Sequence, residues 1–250
     1  MREYLKSFHD GHLRVNLSPS AAKNAPPKEP AITNIWDLEH KDILVVRVRR
    51  LWDKDEVRKS FAETLSLAGN AKGILFDLRN NGGGDDSLAF DLFRKLIPKT
   101  LEGGNISIRL SKELLTQRPF YETLYPKDLQ RPGFSIFKAF PVEPEPEAFF
   151  KGPIAVVANK GCYSSCESMV VYLRFGNAAK VFGTRTGGGS ANPIFIDLPQ
   201  TKGQLMVPTW IHVMPNGELL EDNGVPPNEF IEDEQQALAA AMRYLNGKQK

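Results

Sequence analysis

A serine that attacks a carbonyl needs a base to take its proton, N–H donors for the developing oxyanion, and a backbone that leaves its hydroxyl open. The segment Gly161-Cys162-Tyr163-Ser164-Ser165-Cys166-Glu167 places a serine where an apolar, strand-like run gives way to a helical one. At a helix start the first N–H groups have no intrahelical partner, so a hydroxyl there has donors beside it. On this motif alone a plain N-cap is the more natural reading, because Glu167 completes a capping-box pattern. A second loop, Asn80-Asn81-Gly82-Gly83-Gly84, also follows a strand-like run. Its glycines let N–H groups face an oxyanion without side-chain obstruction; a tight turn is the alternative. It lacks the Lys-Ser/Thr of a nucleotide-binding phosphate loop. Four histidines, His9, His12, His40 and His212, are available as bases. His12 stands apart because Phe8 to Val15 is a polar turn entering an apolar segment, where a side chain is both exposed and anchored.

The elements that must hold these loops follow from periodicity. Ile43 to Val48 is a β-branched run of strand length. Asp53 with Glu56 predicts a helix start, Val57, Phe61 and Leu65 supply its apolar face, and Gly69 its stop. Gly73 to Leu78 and Pro153 to Ala158 read as buried strands, each followed by a loop and then a helix, over Ser87 to Ile97 and Ser164 to Phe175. Lys180 to Gly183 is a further strand and Glu234 to Leu245 a closing helix. Alternating strands and helices predict an α/β domain with much of its sheet buried. Residues 100 to 150, rich in proline and aromatics, read as a surface excursion whose tract Pro141 to Glu147 is irregular. Asn216-Gly217 signals a hairpin turn with positive φ.

At 250 residues, 41% hydrophobic and 25% charged, the chain has ordinary globular composition. A net charge of +2, with 32 basic and 30 acidic residues interspersed, gives no basic stripe for nucleic acid. No apolar run is long enough to span a bilayer, and the first residues lack the apolar stretch of a secretory signal, which leaves the compartment open. Cys162 and Cys166 have no ligand partners at zinc spacing. Spaced four apart at a helix start, they are expected to be free, buried and small rather than bridged.

Five segments occur in one order: Phe8 to Val15, Gly73 to Gly84 (GILFDLRNNGGG), Gly152 to Glu167, Phe182 to Ala191 (FGTRTGGGSA) and Glu221 to Pro227 (EDNGVPP). Together they resemble the tail-specific, C-terminal-processing and tricorn-core serine peptidases over nearly the whole chain. The resemblance implies a crotonase/ClpP-like α/β spiral of ββα units, with residues 1–30 as an N-terminal segment and 31–250 as the catalytic domain. The stretch from Val15 to Gly73 holds a Pro-rich loop, one strand and one helix, so no PDZ domain fits. The chain starts almost at the Asp10-Gly11-His12 motif, so a fragment lacking the family's N-terminal helical region is one expectation.

The family's Ser-x-x-Glu element implies Ser164 as nucleophile and Ser165 as an oxyanion-hole N–H, with Gly82 or Gly83 as second donor. Gly189 stands where the lysine-dependent branch has its lysine, so the resemblance implies the other branch, with His12 as base and Glu221 as its orienting carboxylate. In that branch a serine precedes the histidine; here Gly11 does. Neither metal nor organic cofactor is implied. The implied substrate is a peptide or protein, oligomerisation is possible, and no nucleic acid is involved. The alternative is a catalytically inactive module on the same fold that binds a lipid- or retinoid-like ligand or a peptide.

Overall fold

The computed structural model describes residues 13–16, 29–37, 42–124, 134–147, 150–201 and 203–247. Its elements in chain order are β1 (Arg14–Asn16), β2 (Ile32–Trp36), β3 (Ile43–Val48), α1 (Lys54–Ala68), β4 (Gly73–Asp77), α2 (Asp86–Leu96), β5 (Asn105–Arg109), α3 (Lys112–Gln117), α4 (Tyr121–Leu124) and β6 (Phe134–Lys138). They continue with β7 (Ile154–Ala158), α5 (Ser165–Phe175), β8 (Lys180–Gly183), β9 (Ile194–Asp197), β10 (Gln204–Val207), β11 (Trp210–Val213), β12 (Glu229–Phe230) and α6 (Glu234–Gly247). The chain forms two compact units: one takes β1 with Gly104–Ala139 and Gly189–Asp222, the other Glu29–Gly103, Phe140–Gly188 and the chain from Asn223 on.

The larger unit is built on a six-stranded sheet of order β12-β8-β7-β4-β3-β2, parallel except for the β2–β3 pair. All residues of β4 and β7 are buried, as a parallel strand covered on both faces requires, and this is why both read as continuous apolar runs. Alternation sorts their side chains. Leu75, Ala155, Val157 and Phe182 meet Ala237, Ala240, Ala241 and Leu245 of α6, whose small residues admit close approach. Phe76, pointing the other way, meets Phe93 of α2 edge-to-face at 6.2 Å. The mixed α/β fold with a parallel-rich sheet is the one the sequence implies.

The smaller unit has two three-stranded antiparallel sheets, β11-β5-β6 and β1-β10-β9. Its core gathers Ile108, Leu114, Tyr121 and Ile194, with Trp210 packed against them. The sequence reading of residues 100–150 as a surface excursion is thereby corrected in part. Ile106 and Ile108 are buried between exposed Asn105 and Arg109, a half-buried alternation that pairs with β6 over five residues. The proline-rich tract keeps one bridge, Leu101 to Val142. At Asn216-Gly217 only Gly217 takes positive φ, +85°. Its N–H bonds the Met214 carbonyl at 2.8 Å and the returning arm makes a single bridge, Val213 to Leu219.

In the larger unit Asp77 closes β4 and accepts from Arg79 at 2.7 and 2.8 Å and from its cross-strand partner Arg47 at 2.8 Å. Arg79 continues to the Glu234 carbonyl at 3.2 Å, tying the strand end to α6. Burial alone would raise the Asp77 pKa, but the hydrogen bonds and charges of Arg79 and Arg47 outweigh it and hold the carboxyl below its ordinary range. Asp77→Asn keeps the shape but removes the nearest counter-charge of the Arg79 side chain, 6% exposed, leaving the Glu234 carboxylate at 3.6 Å. We expect a loss of about 3 kcal/mol in urea unfolding at pH 7. Because the folded pKa is depressed, the carboxylate's contribution is complete above the unfolded value and fades as pH falls through the folded one. The gap between parent and variant therefore narrows below about pH 4.

Candidate active site

Strands β4, β7 and β8 are adjacent and parallel, so the loops after them leave the same edge of the sheet, where open α/β folds place their sites. Those loops are Leu78 to Asp85, Asn159 to Ser164 and Thr184 to Gly188. Asn159 joins the first two: its side-chain oxygen accepts from the N–H groups of Asn80 at 2.9 Å and Gly161 at 3.0 Å. Its amide nitrogen donates to Asn80 Oδ1 at 3.1 Å and to Glu234 Oε1 at 2.6 Å. The Tyr163 N–H adds a bond to the Asn81 carbonyl at 2.9 Å.

Ser164 stands immediately before α5 with φ +57° and ψ −126°. The N-caps of α1, α2 and α3, Asp53, Asp85 and Ser111, have φ of −94°, −110° and −108°. Ser164 closes a capping box with Glu167, as the sequence pattern predicts, but on a backbone that none of those three N-caps adopts. A non-glycine residue with this backbone costs about 1–3 kcal/mol and persists only where its surroundings impose it. Gly83, at φ +95°, packs directly on this turn: a Cβ there would lie 2.9 Å from both Ser164 Cβ and the Ser165 nitrogen, and 2.7 Å from the Tyr163 carbonyl. Only glycine permits this approach. Gly84 carries the loop onward beside Leu51, with the Leu51 N–H on the Gly83 carbonyl at 2.9 Å.

Of the two adjacent serines, Ser165 donates its hydroxyl to the Gly84 carbonyl at 2.8 Å and is 9% exposed, while Ser164 is half-buried. The Ser165 N–H lies in the first turn of α5, where helix geometry leaves donors over. The Gly83 N–H bonds Asn81 Oδ1 at 2.8 Å, whereas Gly82 is exposed with open space beside its α-carbon.

Glu167 is fully buried and gathers three donors: the Ser164 N–H at 3.1 Å, the Thr186 hydroxyl at 2.5 Å and the Gly188 N–H at 2.8 Å. Thr186 in turn accepts from the Val225 N–H at 2.7 Å, so the Gly224-Val225 segment joins the same network. One carboxylate thus fixes the serine turn and the β8 loop together.

Cys162 and Cys166 form a disulfide, contrary to the sequence expectation. That expectation took helical spacing between them. Cys162 instead lies in the turn before α5, and the positive-φ Ser164 between them brings the α-carbons to 5.4 Å, within disulfide range.

In the smaller unit, Glu221 accepts from the Ser190 hydroxyl at 2.6 Å and from the His212 backbone N–H at 3.0 and 3.2 Å. Trp210 donates its indole N–H to Ser190 at 3.2 Å. Sequence reasoning placed Glu221 but passed over Ser190. The only signal for it was its place in the Gly187-Gly188-Gly189-Ser190 run. His12 lies outside the described residues, as do His9 and His40; His212 is buried on β11.

Replacing Glu167 by Gln puts one N–H₂ among three donors. Whichever way the amide turns, the Ser164 N–H or the Gly188 N–H faces it unpaired, at about 1–3 kcal/mol for a buried group. We expect chemical unfolding to show that loss, with a larger one for Glu167→Ala.

Among curated proteins none matches the sequence. Among solved structures, a lipoprotein from Streptococcus agalactiae superposes with a TM-score of 0.67 at 17% identity, covering 98% of this chain and 79% of its own. Mature CPAF superposes with a TM-score of 0.63 at 18% identity, covering 88% of this chain and 53% of its own. The photosystem II D1 C-terminal processing protease gives 0.55 at 18% identity, covering 93% and 51%. This chain thus spans about half the length of the last two proteins. At these identities the likeness is one of fold. The model of Peptidase family S41 matches residues 42–231, from the start of β3 to beyond β12, and on that match the chain belongs to peptidase family S41.

Proposed function

We propose that this protein hydrolyses peptide bonds as a serine endopeptidase of the tail-specific type, through an acyl-enzyme formed on Ser164. The observation that carries this reading is the positive-φ Ser164 seated against Gly83 at the head of α5. A strained turn that lifts a serine hydroxyl to the start of a helix suits a nucleophile, whereas the capping box that Ser164 closes with Glu167 needs no positive φ, since N-caps ordinarily take extended backbone. Ser164 Oγ attacks the substrate carbonyl and passes its proton to His12. The oxyanion is held by the N–H groups of Ser165 and Gly82, each such donor worth about a hundredfold in rate. Gly83 joins them only if its N–H leaves Asn81. The tetrahedral intermediate then collapses, expelling an amine that His12 protonates, and water deacylates the serine by the reverse sequence.

Glu221 is assigned the role of orienting His12 through Ser190. The Ser190 hydroxyl gives its one proton to Glu221 and accepts from Trp210, which leaves one lone pair for an imidazole N–H. Ser190 would thus supply the hydroxyl that Gly11 lacks. Peptides or proteins are the substrate class, which the name of the photosystem II D1 C-terminal processing protease states for that protein.

Treatment with a fluorophosphonate followed by intact-mass measurement tests this assignment. The parent should gain one phosphonyl group and Ser165→Ala should gain it too, while Ser164→Ala gains none. His12→Ala should react about a hundredfold more slowly and Ser190→Ala roughly tenfold more slowly. A folded parent that takes up no phosphonyl group would overturn the peptidase reading and leave the binding module.

A further inference from the structure

The mechanism above makes no use of the two cysteines, yet they bracket its nucleophile and are the only cysteines in the chain. Both are fully buried. Each end of the bridge is anchored to a different part of the site. The Cys162 N–H bonds the Asn159 carbonyl at 2.9 Å, and its carbonyl accepts from the Gly187 N–H at 2.8 Å, which fixes it to the β7 and β8 loops. Cys166, in the first turn of α5, gives its N–H to the Tyr163 carbonyl at 3.2 Å, and its sulfur lies 3.5 Å from the carbonyl of Leu78, where the glycine loop begins. Between these anchors the chain must turn through Ser164 at φ +57°.

We infer that the Cys162–Cys166 disulfide is a positioning element for the nucleophile: it holds the turn that carries Ser164 and the Ser165 N–H against Gly83. A bridge across four residues closes too short a loop to restrict the unfolded chain much, so its effect is concentrated on the turn it spans. The three hydrogen bonds to Glu167 secure the helix side of that turn, and the bridge secures its entrance. Without the bridge, Ser164 is free to relax toward the extended backbone that Asp53, Asp85 and Ser111 adopt, and the Ser165 N–H moves with it. This role rests on the assignment of Ser164 as nucleophile for its effect on reactivity, but not for its effect on backbone order.

The test compares the oxidised chain, the same chain reduced with excess dithiothreitol in denaturant and refolded with reductant present, and Cys162→Ala/Cys166→Ala. Reduction delivers two electrons and two protons to the sulfurs, giving two thiols, while the dithiol closes to its cyclic disulfide. Alkylation of the unreduced, denatured chain should add nothing, and alkylation after reduction should add two groups; two additions without reduction would overturn the inference. Fluorophosphonate labelling of both unbridged forms should show a maximal rate constant about tenfold lower with an unchanged first-step binding constant, and reoxidation of the reduced chain should restore it. Amide exchange of Ser164 to Glu167 should quicken about tenfold while β4 and β7 amides stay as they were. Equal exchange over residues 164–167 with and without the bridge, or a rise spread evenly through the sheet, would overturn the positioning role. If no form is labelled and local exchange still quickens, the peptidase reading fails and the bridge's role in the turn stands.

Discussion

The fully buried carboxylate of Glu167 is the interaction on which the larger unit's loop edge depends. A charge without water is costly unless every lone pair that matters is occupied, and here three donors from two separate loops do so. The consequence is mutual. Ser164, Thr186 and Gly188 must come together for the carboxylate to be tolerated, and the carboxylate in turn allows those segments to hold shapes they would not choose alone. Thr186 extends the arrangement to Val225, so a segment far along the chain is drawn to the same point.

Beneath that network the parallel sheet supplies alignment and the Asp77 cluster supplies stiffness. Adjacent β4, β7 and β8 run the same way, so their departing loops have no choice of side. Asp77, with Arg47 across the sheet and Arg79 two residues on, fixes where β4 stops and the glycine loop starts. Asn159 does the corresponding task at the end of β7 with four hydrogen bonds to backbone and side chains. Backbone groups that leave a sheet edge lose their ladder partners, and these two polar side chains are where the lost partners are replaced.

Much of this was legible in the sequence, and what was not shares a physical cause. Buried parallel strands announce themselves as unbroken apolar runs, and Asp53 with Glu56 marked the start of α1 as it stands. The glycine loop and Ser164 were identified by type and order. Ser190 escaped notice because its meaning comes from Glu221, thirty-one positions later, and an isolated serine after glycines carries no signal. Residues 105–138 were under-read because β5 finds its partners in β6 and β11, pairings that no local pattern specifies. The disulfide was misjudged because regular helical spacing was assumed through a turn whose central residue has positive φ. Local rules fail where long-range partners impose an unfavourable backbone, and such places concentrate at functional sites.

Magnitudes indicate how the supports of Ser164 divide their task. The positive-φ backbone costs about 1–3 kcal/mol. Hydrogen bonds to a charged acceptor contribute roughly 1.5–3 kcal/mol each, and the one that acts on the serine turn directly, from the Ser164 N–H to Glu167, is of the same size as that cost. Hydrogen bonding therefore offsets the strain at Ser164 without by itself fixing the turn. The glycine at 83 adds a steric condition, because any Cβ there would lie 2.9 Å from Ser164 Cβ and force the two loops apart. The covalent bridge between Cys162 and Cys166 fixes the span across the turn, 5.4 Å between α-carbons. The three supports thus differ in kind: the carboxylate offsets the strain, the glycine makes room for the turn, and the bridge fixes the span across it.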